Sequence, residues 1–203
     1  KVGKYKDNVR RALYWLEQQQ DDKGCFGPVK GGNQGHHIYD QGICTLAMAE
    51  AGAMTRESEC KNCAQKGIGF IEDFQNEYAG WRYGRKDGDS DISVVGWMVM
   101  ACKSAKIAGL HVDPRTFDGA LTFLDKVTRA QGEGSDALTE VVYRPGEDQS
   151  SGFETDSHST TSIGTLVRMY CGGKPSDPKI AGGCAILQKK LPDWDKKHFY
   201  YWY

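Results

Sequence analysis

Four short segments of the chain match one another position by position: Ala12-Leu-Tyr-Trp-Leu16, Gly67-Ile-Gly-Phe-Ile71, Ala120-Leu-Thr-Phe-Leu124 and Gly183-Cys-Ala-Ile-Leu187. They begin 55, 53 and 63 residues apart. A period of that size, carried by apolar residues at helical spacing, marks a repeat protein in which no unit buries its apolar face alone. A second set lies between them. Gly42, Gly96 and Gly164 fall at the same place in each interval, and an apolar run follows each one. The chain therefore reads as three helical hairpins and the first half of a fourth, at about 7–53, 60–110, 114–173 and 178–203.

The two sets differ in pattern. The first helix, Asp7 to Gln20, places Val9, Leu13 and Leu16 on one face with Ala12 and Trp15 beside them, and Cys60 to Gln75 repeats the amphipathic plan. Asp113-Pro114 opens the next amphipathic helix, with Pro at an early helical position, and Lys179 to Lys190 forms the last. The helices between them, Ile38 to Ala51, Ile92 to Ala108 and Thr161 to Tyr170, are richer in apolar residues. Ile92 to Ala108 is apolar nearly all round, which predicts burial. Amphipathic helices outside and apolar helices inside predict an all-α fold: an α/α toroid, whole or partial, of about four hairpins, forming a single domain over 1–203. From about 129 to 156 the helical pattern dissolves into a long loop, with a small hairpin expected near Val141-Val142-Tyr143. Ser157 or Ser159 is expected to cap the helix that follows.

Composition narrows the partners. The net charge is −1 and the charges are interspersed, so nothing points to nucleic acid. No apolar run is long enough to span a bilayer. The seven cysteines lack regular spacing, which argues against a disulfide framework; Cys60-Lys-Asn-Cys63 has no second pair to complete a zinc site. No metal and no cofactor is expected. The chain starts at Lys1 and stops on Tyr-Tyr-Trp-Tyr, so both ends read as cut. Further repeats or a partner are expected to cover the last apolar face, including Tyr200 to Tyr203.

Lys66-Gly-Ile-Gly-Phe-Ile-Glu-Asp-Phe-Gln75-Asn-Glu-Tyr-Ala-Gly80-Trp81 closely resembles the Gln-Trp repeat of squalene and hopene cyclases. Ala12 to Phe26 resembles a degraded copy with Phe26 in the tryptophan's place. Over almost its whole length the chain resembles the prenyltransferase/squalene-oxidase repeat superfamily, which includes terpenoid cyclases and protein prenyltransferase β subunits. More closely still, it resembles uncharacterised repeat proteins of that superfamily from planctomycete-like bacteria, in which segments like Asp91 to Trp97 and Leu191 to Trp194 recur. The resemblance implies the toroid; one fold hosts many chemistries, so it implies little about activity.

The diagnostic motifs of those enzymes are broken or missing. Class II terpenoid cyclases use an Asp-x-Asp-Asp motif whose middle aspartate is held protonated as the acid. The matching loop here reads Asp87-Gly-Asp89-Ser90-Asp91, which lacks one carboxylate in either alignment; Asp91 also reads as an N-cap. The prenyltransferase zinc motif, Asp-x-Cys with a distant His, is absent, and no cysteine has the glutamine a thioester domain requires. What remains is positional. His36-His37, Asp89-Ser90-Asp91 and Asp156-Ser157-His158 enter the three inner helices at equivalent places, where a toroid would gather them at one mouth. Two readings follow. In the first, His36, His37, Tyr39, Tyr83, Trp97 and Asp156 line a non-catalytic site for a lipid, an isoprenoid-like molecule or a peptide. In the second, Asp89, Asp91 and His158 serve a cyclase-like enzyme or a toroid hydrolase or lyase.

Overall fold

The computed structural model describes residues 3–27, 37–132, 137–146 and 158–189. Among these, seven helices and one two-stranded sheet follow in order: α1 (Lys6–Gln19), α2 (His37–Thr55), α3 (Ser58–Phe74), α4 (Ile92–Ile107), α5 (Pro114–Val127), β1 (Thr128–Gln131), β2 (Leu138–Val141), α6 (His158–Tyr170) and α7 (Pro178–Gln188). The protein is predominantly helical. The segments Leu191 to Trp194 and Tyr200 to Tyr203, and the cap expected at Ser157, lie outside the described residues. Ser159 sits within α6, so it is not that helix's cap.

Helix starts follow from local chemistry. Asp113 and Asp177 each precede a proline at the first helical position, and each side chain accepts from the backbone N–H two residues on, Arg115 and Lys179 respectively. Packing then sorts the helices. α2 lies against both α3 and α4, α4 against α6, and α6 against α7, so α2, α4 and α6 form a consecutive row with α3 and α7 behind it. α4 is the most deeply buried: Ile92, Val94, Val95, Met98, Val99, Ala101, Cys102 and Ala105 are all inaccessible to solvent. The row is tight because the recurring glycines leave room. A Cβ on Gly42 would lie 3.0 Å from Trp97 Cβ, one on Gly96 2.7 Å from Ile163 Cγ2, and one on Gly164 2.6 Å from Val141 Cγ2.

α1 departs from the expectation that Val9 joins a buried face. It buries no residue fully; Val9 is 55% exposed and Trp15 59%, while Leu13 and Leu16 are half-buried against the core. The reason is position: α1 meets only the edge of α2 and α3.

The turns that follow α1 and α3 share one plan. Asp21 N–H donates to Cys25 O (2.9 Å) as Asn76 N–H donates to Gly80 O (3.0 Å). Gln20 Nε2 donates to Gly24 O and, across to α3, to Cys63 O (2.9 Å). Gln75 Nε2 does the same to Ala79 O and Thr116 O (3.0 Å). Each turn delivers one buried aromatic, Phe26 or Trp81; the Trp81 indole donates to Ile71 O at 2.8 Å. After α5 the plan changes. The antiparallel hairpin pairs Thr128 with Val141 and Gln131 with Leu138, so of the run expected in a hairpin only Val141 lies in the strand. Val142 N–H donates to Val127 O and Tyr143 O accepts from Ile92 N–H (3.2 Å), which pins the exit of the hairpin to the start of α4.

Candidate functional site

The start of α4 is built from the loop that precedes it. Asn76 holds that loop: its Oδ1 accepts from Gly88 N–H (2.8 Å) and its Nδ2 donates to Asp89 O and Ser90 Oγ. Asp91 N–H donates to Trp81 O, so the buried indole sets the height at which the helix begins. Asp91 is fully buried, and its Oδ1 accepts from Val94 N–H (3.0 Å) and Ser93 Oγ (2.6 Å). It is the N-cap of α4, where a negative charge also faces the positive end of the helix.

Its other oxygen meets Arg82. The separation, Nε to Oδ2, is 3.3 Å, but the N–H is not aimed at the oxygen, so the contact is ionic rather than a formed hydrogen bond. Arg82 also donates through Nη1 to Asp89 Oδ2, and Arg144 Nη1 reaches the same oxygen at 3.4 Å. Asp89 is half-exposed, so this chain of charges runs from water to a buried carboxylate. A buried aspartate needs such a counter-charge, because burying it alone would cost several kcal/mol.

Beside Asp91 two phenols converge on one hydroxyl, with a third next to them. Tyr39 from α2 and Tyr143 from the segment after β2 place their hydroxyls 2.7 and 3.2 Å from Ser93 Oγ. Tyr83 interacts with both phenols, its ring centroid 6.2 Å from that of Tyr39, and the Arg82 guanidinium lies over the Tyr83 ring, 5.0 Å from its centroid. Burial, with Asp91 and the neighbouring phenols adding to it, raises the phenols of Tyr39 and Tyr143 above the ordinary tyrosine value, so both stay protonated.

Ser93 also borders an apolar slot. Gly96, Trp97 and Met100 of α4 face Ile163, Leu166 and Val167 of α6 across it, with room for about 10 Å³ and almost no polar lining. The slot opens onto a wider face. Along α4, Ser93, Trp97, Met100, Ser104 and Ile107 share one helical stripe. Leu166 of α6 meets it at the slot; Ile43 of α2 and Met169 of α6 are each more than two-fifths exposed, and Ile107 is 71% exposed.

The remaining sequence candidates are scattered. His37 is the first residue of α2 and packs edge-on against Phe74, ring centroids 5.8 Å apart. His158 is the first residue of α6 and is buried. His36 and Asp156 lie outside the described residues. The structure thus joins Tyr39, Tyr83, Asp89 and Asp91 in one cluster, with Trp97 beside it on α4. Among the described residues no group of three or more His, Cys, Asp or Glu is placed to hold a metal. Cys25, Cys44 and Cys63 are free thiols raised by burial to about 11, 11 and 12, which keeps them protonated. No described helix is long and apolar enough to cross a membrane. Ser93, Arg82, Tyr143 and Arg144 were not singled out by sequence as site residues. The proximity of Ser93 to the Asp91 cap and the apolar run ending in Tyr143 were the available signals.

Scans against protein-family models, curated proteins and solved structures each found no match. What the site does is read from its geometry.

Proposed function

We propose that the protein is a helical-repeat binding module whose α2–α4–α6 face takes an apolar, lipid- or isoprenoid-like ligand, and that its helix pairs form an arc of an α/α toroid of the terpenoid-cyclase type. The observation that carries this is the accessible stripe of α4, in which Trp97, Met100 and Ile107 stay accessible with only Ser93 and Ser104 as polar members, while Leu166 and Met169 of α6 are accessible as well. Methionine is over-represented in it, as suits a surface that adapts to an irregular apolar partner. The slot has room for no more than about one water, so the ligand lies along the stripe. A peptide suits that stripe less well, because its backbone N–H and C=O groups would be buried where the polar side chains are those of Ser93 and Ser104 alone. The resemblance of Lys66 to Trp81 to a Gln-Trp repeat agrees with the arc.

Catalysis by Asp91 draws no support from its surroundings. A general acid must reach the reacting atom, whereas Asp91 is fully buried, with one oxygen capping α4 and the other facing Arg82.

Isothermal calorimetry with farnesene, an isoprenoid hydrocarbon, tests the proposal. Binding with a negative heat-capacity change is expected, because apolar surface leaves water. Met100→Lys is expected to weaken it at least tenfold while the protein keeps its helical circular dichroism. Unchanged affinity in that variant would sink the proposal.

A further inference from the structure

The hydroxyl cluster beside the slot has a direction. Ser93 carries one proton, and the short 2.6 Å contact gives it to Asp91 Oδ1. Asp91 is the capping carboxylate opposite Arg82, so it accepts and does not donate. A hydroxyl has one donor and two acceptor positions. With its proton committed, Ser93 Oγ is left with two lone pairs, and two phenols are within reach, at 2.7 and 3.2 Å. Tyr39 and Tyr143 therefore both donate inward to Ser93. The protons of Ser93, Tyr39 and Tyr143 all run toward Asp91, and what these two phenols turn outward is lone pairs.

We infer that the Tyr39–Ser93–Tyr143 cluster is the head-group subsite of the apolar face, and that it selects an apolar alcohol, a molecule that offers a hydroxyl proton at one end of a hydrocarbon body. This rests on the reading of the α2–α4–α6 face as an apolar binding surface and adds the chemistry at its end. Ser93 is common to both parts, since it anchors the phenols and borders the slot beside Trp97. Tyr83 is 38% exposed and the other two phenols are half-buried, so a ligand can reach the cluster from the solvent side. Diphosphate and carboxylate heads are disfavoured. They bring lone pairs to lone pairs, and the charge of the nearby Arg82 is already offset by those of Asp89 and Asp91. A ketone or ether is disfavoured for the same reason, although it is uncharged.

The test compares three probes with one hydrocarbon chain: farnesol, farnesyl methyl ether and farnesene. Farnesol is expected to bind roughly three- to tenfold more tightly than the ether, the scale of one net hydrogen bond. Ser93→Ala then removes the acceptor for the two phenolic protons while Asp91 still caps Val94. Freed to turn outward, those protons are expected to reverse the order, so that the ether binds at least as well as the alcohol. Tyr39→Phe is expected to shrink the alcohol's advantage without changing farnesene affinity. If the three probes bind equally to the unaltered protein, or if the alcohol keeps its advantage in Ser93→Ala, the head-group subsite is overturned and the apolar face stands. If none binds, the apolar face fails and the subsite fails with it.

Discussion

The turn after α3 and the hairpin after α5 solve one problem with different chemistry. In the first, Gln75 leaves the end of α3 and donates to Thr116 O in the next outer helix. In the second, the bond comes from a threonine instead: Thr139 of β2 donates through Oγ1 to Lys179 O at 2.7 Å. Thr116 and Lys179 hold the same place in successive repeats, 63 residues apart, which is the interval between the matching segments Ala120 and Gly183. The glycines agree. A Cβ on Gly119 would strike Gln75 Nε2 at 2.6 Å, and one on Gly182 would strike Ala137 O at 2.3 Å. What the repeat preserves is a docking point on the next outer helix, close enough to require glycine. The connecting sequence that reaches it is free to change.

That comparison can be broken at its strongest point first. Trp81 is fully buried, and its indole is both core and hydrogen-bond donor. Trp81→Ala is expected to cost about 4 kcal/mol, a large share of a domain's stability, measured by urea unfolding followed by circular dichroism. The hairpin supplies no single side chain of that weight, so no substitution in β1 or β2 should match it. A smaller pair of variants sharpens the equivalence itself. Gln75→Met removes the bonds to Ala79 O and Thr116 O, and Thr139→Val removes the one to Lys179 O. Losses of roughly 1–2 and roughly 1 kcal/mol are expected. If Thr139→Val is neutral while Gln75→Met is costly, the hairpin docks through backbone packing and the two connections are not equivalent.

The helices were legible because burial imposes a helical period on the sequence, and the burial of α4 followed from the same cause. Val9 misled because its spacing is that of a core residue, while its exposure is set by how little of α2 and α3 lies against α1. Spacing reports a helix's own face and is silent about what covers it. At the site, Asp91 could be read as a cap because capping is local. The phenol cluster could not, since Tyr39 and Tyr143 reach Ser93 across 54 and 50 residues of chain. Val141-Val142-Tyr143 shows the same division. Its β character could be read, but its three residues serve three ends: Val141 pairs in the strand, Val142 bonds to Val127 at the end of α5, and Tyr143 joins α4 through its carbonyl and the phenol cluster through its hydroxyl.

The smallest expected effect separates the two regions by charge. Asp125 accepts from Arg168 Nη2 (2.8 Å) and Lys179 Nζ (2.6 Å), so one carboxylate ties α5 to α6 and α7 in the region that lacks a glutamine turn. Asp73 pairs with Arg85 at 2.7 Å and ties α3 only to the loop that follows it. Burial by itself would raise the Asp125 carboxyl; the bonds from Lys179 and Arg168 more than offset it and hold the group below the ordinary aspartate value. Asp73 is lowered chiefly by Arg85. A carboxyl whose value is lower folded than unfolded stabilises the fold fully above the unfolded value, near 3.9, and loses that contribution as the pH falls through the folded value. Both aspartates are about half exposed, so solvent and salt screen each pair. Asp125→Asn is expected to cost a few tenths of a kcal/mol to about 1 near neutral pH, with the gap to the unaltered protein closing below about pH 3. Asp73→Asn is expected to cost less and to become neutral in molar salt. Urea unfolding at neutral and acid pH, with and without salt, checks both. Equal and fully salt-sensitive costs would mean that Asp125 is an ordinary surface pair and that hairpin packing, not the carboxylate, holds α5, α6 and α7 together.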